Sequence, residues 1–237
     1  MTISFSDKIE PGDLVAIGDV HGRFDLLNKM IDWLEGSGAR VVFLGDLIDR
    51  GGEDLEVLDL VKEMMDSPEG FGLESVNVLK GNHEQMFINA ATTEIASDTI
   101  LWIQNGGNFR QMEEMVESHL DWIKDLPLFM RSGDTIFVHA GLNPGEDPEK
   151  TLKRSPQTLM WIREAFLHFG PELEEWTTEV KRVVHGHSIE SKKPVVKGQR
   201  INVDTGAFVS GYLTAFNATK NTFHQIQGKP NPKYGKL

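Results

Sequence analysis

Five short polar clusters hold most of the side chains in this sequence that could do chemistry. They are Asp19 with His21, Asp46 with Asp49 and Arg50, Asn82 with His83, His139, and His187. Each stands directly after a short apolar run of the kind that forms a buried strand. Glycines flank nearly all of them: Gly18, Gly22, Gly45, Gly51, Gly81, Gly141 and Gly186. Polar groups at the carboxyl ends of neighbouring strands converge on one crevice. Three aspartates, several histidines and an asparagine crowded there would repel or desolvate one another unless a cation compensated them. Imidazole, carboxylate and amide oxygen suit manganese, iron or zinc. One carboxylate can bridge two such ions. A two-metal site holds a hydroxide between them and clamps the attacking and leaving oxygens of an in-line displacement. The expected chemistry is hydrolysis by in-line displacement with a metal-held hydroxide.

Positioning those clusters requires alternating strands and helices. Leu14 to Ile17 is predicted as a strand, followed by a helix whose Leu27, Met30, Ile31 and Leu34 share one face. Arg40 to Leu44 is the second strand, and Leu58, Val61 and Met65 mark the next helix. Ser75 to Leu79 is the third strand. This order implies a largely parallel sheet with helices packed on it. Residues from about 86 to 126, with Trp102 and Trp122, read as an inserted helical segment. Thr135 to Val138 is again a strand. Leu159, Ile162 and Phe166 line a further helix, which carries Arg163, and Val180 to Val184 is a strand. Four short segments then alternate with glycine turns: Pro194 to Val196, Ile201 to Val203, Tyr212 to Ala215 and Thr222 to Ile226. They suggest a second sheet, mainly antiparallel. The polar clusters depend on one another along the chain, which favours a single domain over residues 1–237, with a frayed tail from Gly228.

The length of 237 residues allows a well-buried core, and 39% hydrophobic with 25% charged residues is ordinary for a soluble globular protein. A net charge of −12 disfavours both a nucleic-acid backbone and an anionic membrane surface as partners. It leaves room for a phosphorylated substrate, because a local cluster of metal and arginine outweighs the global field. The absence of cysteine excludes disulfides, thiolate nucleophiles and cysteine-ligated zinc. Met1 to Pro11 carries no signal-peptide pattern and no segment is apolar for long enough to span a bilayer, so a cytoplasmic location is expected.

Gly18-Asp19-Val20-His21-Gly22, Gly45-Asp46-Leu47-Ile48-Asp49-Arg50-Gly51 and Gly81-Asn82-His83-Glu84 resemble the three signature motifs of the phosphoprotein-phosphatase type of metallophosphoesterase. His139-Ala140-Gly141 and Gly186-His187 complete the set in order, and the resemblance runs from Gly18 to about Gly206. It implies a four-layer, calcineurin-like α/β sandwich of two mixed sheets flanked by helices. It implies that Asp19, His21 and Asp46 bind a first metal, and that Asp46 bridges to a second held with Asn82, His139 and His187. The ions implied are two divalent metals, manganese first, with iron, zinc or nickel as alternatives. The resemblance also makes His83 the acid that protonates the leaving oxygen, with Asp49 orienting it. Arg50 and Arg163 become the grips on the phosphoryl oxygens.

Each residue also has a plainer reading. His185 lies two residues before His187 and is expected to support a ligand rather than to be one. His119, His168 and His224 fit no motif and are read as surface or half-buried histidines. Asp49 and Arg50 could form a simple ion pair, and a helical arginine such as Arg163 is usually a solvated charge. Asp204 could orient a metal ligand or cap a turn. Trp102, Trp122, Trp161 and Trp176 are expected in the core or a pocket wall, and Glu172, Glu174 and Glu175 on a solvated helix face.

Trp102 with Asn105-Gly106-Gly107, and Glu84-Gln85-Met86, resemble segments of phage lambda and bacterial serine/threonine protein phosphatases. The activity expected on this ground is dephosphorylation of serine or threonine in proteins or peptides, by direct attack of a metal-bridging hydroxide and without a phospho-enzyme. The alternative is hydrolysis of dinucleoside polyphosphates, because bacterial diadenosine tetraphosphatases share the five motifs. A third reading, a phosphate-binding scaffold without catalysis, conflicts with the presence of every ligand and of the acid.

Overall fold

The computed structural model describes residues 3–168, 179–231 and 233. Trp176, Glu172, Glu174 and Glu175 lie outside the described residues. Strands β1 (Leu14–Ile17), β2 (Arg40–Phe43) and β3 (Ser75–Val78) pair in parallel, with α1 (Phe24–Leu34) and α2 (Asp54–Asp66) between them. Three helices follow: α3 (Asn82–Thr92), α4 (Ala96–Gln104) and α5 (Met112–Asp125). Strands β4 (Phe129–Ser132), β5 (Thr135–Val138) and β6 (Arg182–His185) open a second sheet. Short helices α6 (Pro148–Arg154), α7 (Pro156–Trp161) and α8 (Glu164–His168) lie between β5 and β6. Then come β7 (Val195–Lys197), β8 (Arg200–Asn202), α9 (Ala207–Ser210), β9 (Tyr212–Asn217) and β10 (Thr222–Gln227).

The last four strands do not make a sheet of their own. β9 and β10 join the first sheet, in the order β10-β9-β1-β2-β3. β7 and β8 join the second, in the order β4-β5-β6-β8-β7. The expected antiparallel second sheet is therefore corrected to two mixed sheets, in which β5, β6 and β8 run parallel. The chain crosses between the sheets at Val203 to Gly206, so neighbouring segments of sequence end in different layers.

The layering follows from alternation of side chains along the strands. On β1, Leu14 and Ala16 pack between the sheets with Phe137, Val184, Ile201 and Phe216. Val15 and Ile17 face the other way, onto Leu27, Met30 and Val61 of α1 and α2. On β5, Phe137 points inward while Ile136 and Val138 pack on Leu152, Leu159 and Phe166 outside. Each central strand thus serves two cores, which explains why these strands read as unbroken apolar runs. The result is helix, sheet, sheet, helix.

At the site end the two sheets touch backbone to backbone. A Cβ added at Gly18, just after β1, would lie 2.5 Å from the carbonyl oxygen of Val203, just after β8. Residues 228–231, which the sequence leaves loose, are tied at their start. Gly228 donates to the Gly211 carbonyl at 2.8 Å, and buried Arg23 donates to the carbonyls of Ala207 and Lys229. Gly18→Ala should wedge the sheets apart where the polar clusters meet. The expected loss is about 2 kcal/mol in a urea melt, as for an overpacked core position.

Candidate metal centre and acid pair

Asp19 and His21 follow β1, Asp46 to Arg50 follow β2, and Asn82 and His83 open α3 after β3. His139 follows β5 and His187 follows β6. Seven polar side chains from the first sheet (Asp19, His21, Asp46, Asp49, Arg50, Asn82 and His83) and two from the second therefore reach one crevice. The turns that deliver them are strained. His21, Asp46, Asp49, Arg50 and His187 all have positive φ, between 51° and 72°, in a region that costs a non-glycine residue about 1–2 kcal/mol each.

Asp46 is the junction. Its carboxylate lies 3.6 Å from His21 Nε2 and 3.3 Å from His139 Nε2. Glu84 fixes the turn beneath it by accepting the backbone N–H groups of Asp46, Leu47 and Gly81, each at 2.8 Å. That buried role was missed from sequence, although an acidic residue at the third position of a helix is the usual sign of one reaching back to the preceding backbone. Burial opposes the charge of Asp46. The surrounding imidazoles of His139, His83 and His21 reverse the balance and hold its carboxyl well below the usual range.

The donors suit a cation better than one another. His21 and His139 each give their Nδ1 proton to a backbone carbonyl, of Ile48 and Leu44, both at 2.9 Å. That tautomer turns both Nε2 lone pairs into the site. His139 Nε2 then meets Asn82 Oδ1 at 3.0 Å and His187 Nδ1 at 3.2 Å, besides Asp46. Acceptors this close require a proton or a metal among them. Burial disfavours charge on His139, yet Asp46, with Asp19 and Glu84, raises its pKa to about 9. Burial, with the neighbouring charge of His139, lowers His187 to about 2. At His21 Nε2 the Arg50 guanidinium already stands as a cation, 2.8 Å away. Among the described residues, two donor sets are compact enough for an ion: His21, Asp46 and His83, and Asp46, His139 and His187. They share Asp46.

Asp19 is placed differently from its neighbours. Both of its oxygens accept the His187 backbone N–H, at 3.1 and 3.0 Å, and it is in neither compact set. Burial and repulsion from Asp204 raise its pKa well above the usual range. Asp204 caps its own turn through the Gly206 N–H at 2.9 Å.

His83 pairs with Asp49, Nδ1 to Oδ2, at 2.6 Å. Burial pushes His83 down to about 3 and Asp49 up, the latter reinforced by the charges of Asp54 and Glu84. The pair therefore holds one dissociable proton, as imidazolium with carboxylate or imidazole with carboxylic acid. Trp102, from α4, donates to the other Asp49 oxygen at 2.9 Å. This contact was not foreseen, since a buried tryptophan reads as core.

Arg163 is not within an amphipathic helix. Pro156 starts the short α7, the helix ends at Trp161, and Arg163 stands in the break before α8. There it reaches the His187 carbonyl at 2.8 Å. Arg50, Arg163, His187 and Lys233 line one cleft of about 660 Å³ with residues 103–106, Ile189 and Phe208. His185 points away from the cluster to buried Arg200, at 3.1 Å. Neither His168, which is exposed, nor the partly buried His224 approaches the site, and His119 is buried rather than superficial.

The arrangement matches a known family. Residues 13–194 fit the family model described as calcineurin-like phosphoesterase. The chain is a calcineurin-like phosphoesterase. As such it is a hydrolase of phosphate esters, of a family with a dinuclear metal centre. The "Bis(5'-nucleosyl)-tetraphosphatase PrpE [asymmetrical]" of Halalkalibacterium halodurans is 24% identical over 90% of this chain and 93% of its own. "Serine/threonine-protein phosphatase 1" of Salmonella typhimurium is 28% identical over 64% of this chain and 69% of its own. Among solved structures, a candidate diadenosine tetraphosphatase superposes with a TM-score of 0.64 at 19% identity, covering 92% of this chain and 94% of that one. No helix among the described residues is long and apolar enough to cross a membrane.

Two outcomes test this geometry. Asp46→Asn should lower the manganese retained per chain after dialysis and cut turnover by about 100-fold. Retention of two ions would overturn the shared role of Asp46. Asp54 supports the Asp49 backbone N–H at 2.9 Å, and burial raises its pKa from 3.8 to about 7. Folding therefore takes up a proton between those values, and stability falls as pH rises through them. The stability of Asp54→Asn relative to the native chain, read from urea midpoints, should increase from pH 3.8 to about 7 and then level off.

Proposed function

We propose that this phosphoesterase cleaves dinucleoside polyphosphates, as a bis(5'-nucleosyl)-tetraphosphatase. The observation that carries the reading is the cleft beside the metal donors. Three cationic side chains, Arg50, Arg163 and Lys233, line it together with Phe208, Ile103 and Ile189. Two arginines suffice for the single phosphoryl group of a monoester. A chain of phosphates takes a further cation, which Lys233 supplies, and apolar surface for the attached base. The name of the relative matched along nearly its whole length supports the same reading.

In this reading Asp19, His21, Asp46, Asn82, His139 and His187 hold two divalent ions, manganese first, with Asp46 common to both. When bound, the ions supply Lewis-acid activation of water and of the phosphoryl oxygens. Arg50 and Arg163 hold the phosphoryl oxygens as planar donor forks. His83, held by Asp49, gives its proton to the leaving oxygen.

The rival is protein dephosphorylation, favoured in sequence by Asn105-Gly106-Gly107 after Trp102. In the structure that turn packs on Arg50 and Trp102, and Arg50 donates its backbone N–H to the Gly106 carbonyl at 3.1 Å. Its glycines answer to close packing beside the acid pair, a need common to both activities. It therefore does not separate them.

The deciding assay is competitive. Metal-stripped protein is reloaded with manganese and offered diadenosine tetraphosphate and a phosphoserine peptide at equal concentrations. The nucleotide should be cleaved with at least about tenfold higher kcat/KM, a difference of roughly 1.4 kcal/mol in transition-state binding. A higher efficiency on the peptide would return the chain to the protein phosphatases.

A further inference from the structure

The helical insert does more than wall the cleft. Trp102 is fully buried between Phe87, at 5.6 Å between ring centroids, and Gly107, where an added Cβ would lie 2.3 Å from the indole. The indole N–H is thereby aimed at Asp49 Oδ1, while Asp49 Oδ2 holds His83. Asp49 is itself fully buried, so bulk solvent does not compete for either partner. Four residues later the same turn meets Arg50. The Gly106 carbonyl accepts the Arg50 backbone N–H at 3.1 Å, and a Cβ on Gly106 would lie 2.7 Å from Arg50 Cγ. Asp49 and Arg50 are consecutive non-glycine residues at φ 72°, a conformation that persists only when its surroundings impose it. Residues 102–107 supply two of those constraints, one to each residue.

We infer that Trp102 is a positioning residue for the Asp49–His83 pair, and that residues 102–107 form the element through which the insert sets both the proton donor and the phosphate grip. The inference rests on His83 being the acid of the proposed reaction; it does not depend on which phosphate ester is the natural substrate. Trp102 touches no substrate. It fixes the carboxylate rotamer so that one oxygen remains available to His83 Nδ1. Ile103 to Gly106 also line the cleft, so a ligand seated there contacts the element that orients the two groups acting on it.

A merely structural tryptophan and a positioning one differ in what Trp102→Phe does to poor leaving groups. The phenylalanine keeps an aromatic ring in the core and removes the N–H. Manganese-loaded Trp102→Phe is assayed on ethyl phosphate and on p-nitrophenyl phosphate, with bound metal per chain measured in parallel. Alkoxide departure needs the proton and nitrophenolate departure does not, so kcat should fall roughly tenfold on the alkyl ester and less than about twofold on the aryl ester. KM and metal content should stay constant. In an Asp49→Ala background Trp102→Phe should cost nothing further, because its route is already gone. Gly107→Ala, which pushes the indole off Asp49 without deleting it, should reproduce the same bias and guards against a Trp102→Phe that folds poorly. Equal losses on both esters in both variants, or an undiminished loss without Asp49, would overturn the role of Trp102. His83→Asn is the reference. If it shows the bias and the Trp102 and Gly107 variants do not, only the positioning role falls. If His83→Asn shows none, the acid assignment falls and the positioning role with it.

Discussion

A single buried carboxylate organises this molecule. Asp46 stands among His21, His83 and His139 and belongs to both compact donor sets. A charge placed that deep is tolerable only when everything around it is arranged to answer it. The histidines answer it from the sides, and Glu84 orders the backbone from below through three N–H groups. The strand ends, the glycine contacts and the left-handed turns can all be understood as ways of bringing those partners within reach.

The fold supplies that convergence through its layers. Because the sheets pack face to face and meet at Gly18 and Val203, turns from β1, β2 and β3 can face turns from β5 and β6 across a short gap. Asn82 comes from one sheet and His139 from the other, yet their polar atoms are 3.0 Å apart. The Asp49–His83 pair is reached from the insert by Trp102, and the cationic cleft lies against the same insert.

Much of this was legible in the sequence. β1 and β5 are read to the residue, because strands buried on both faces leave unbroken apolar runs bounded by glycine. β4 was not seen. Phe129 and Arg131 are exposed and Met130 and Ser132 half-buried, so an edge strand of four mixed residues carries no periodic signal. The allocation of β7 to β10 between sheets was also hidden, since pairing partners lie far away in sequence: β9 binds β1 across some two hundred residues. The polar residues of the site were recognised by type and spacing. Their directions were not, and direction is what distinguishes Asp19, turned to the His187 backbone, from Asp46. Arg163 was misplaced because helical periodicity across Leu159, Ile162 and Phe166 conceals the break at Ile162 and Arg163. The substrate reading changed for a related reason. The glycines near Trp102 looked like a mark of one substrate class, and they turn out to answer to packing.

Five of the six left-handed non-glycine residues described here carry the polar groups of the crevice. Each would sit more comfortably as glycine, at about 1 kcal/mol or more of relief. Selection for durability alone would therefore erode this centre, and a consensus or thermostability screen scored only on melting temperature would favour its loss. What survives in His21, Asp46, Asp49, Arg50 and His187 is a local sacrifice of robustness to reactivity, concentrated where the chain can least afford ordinary geometry.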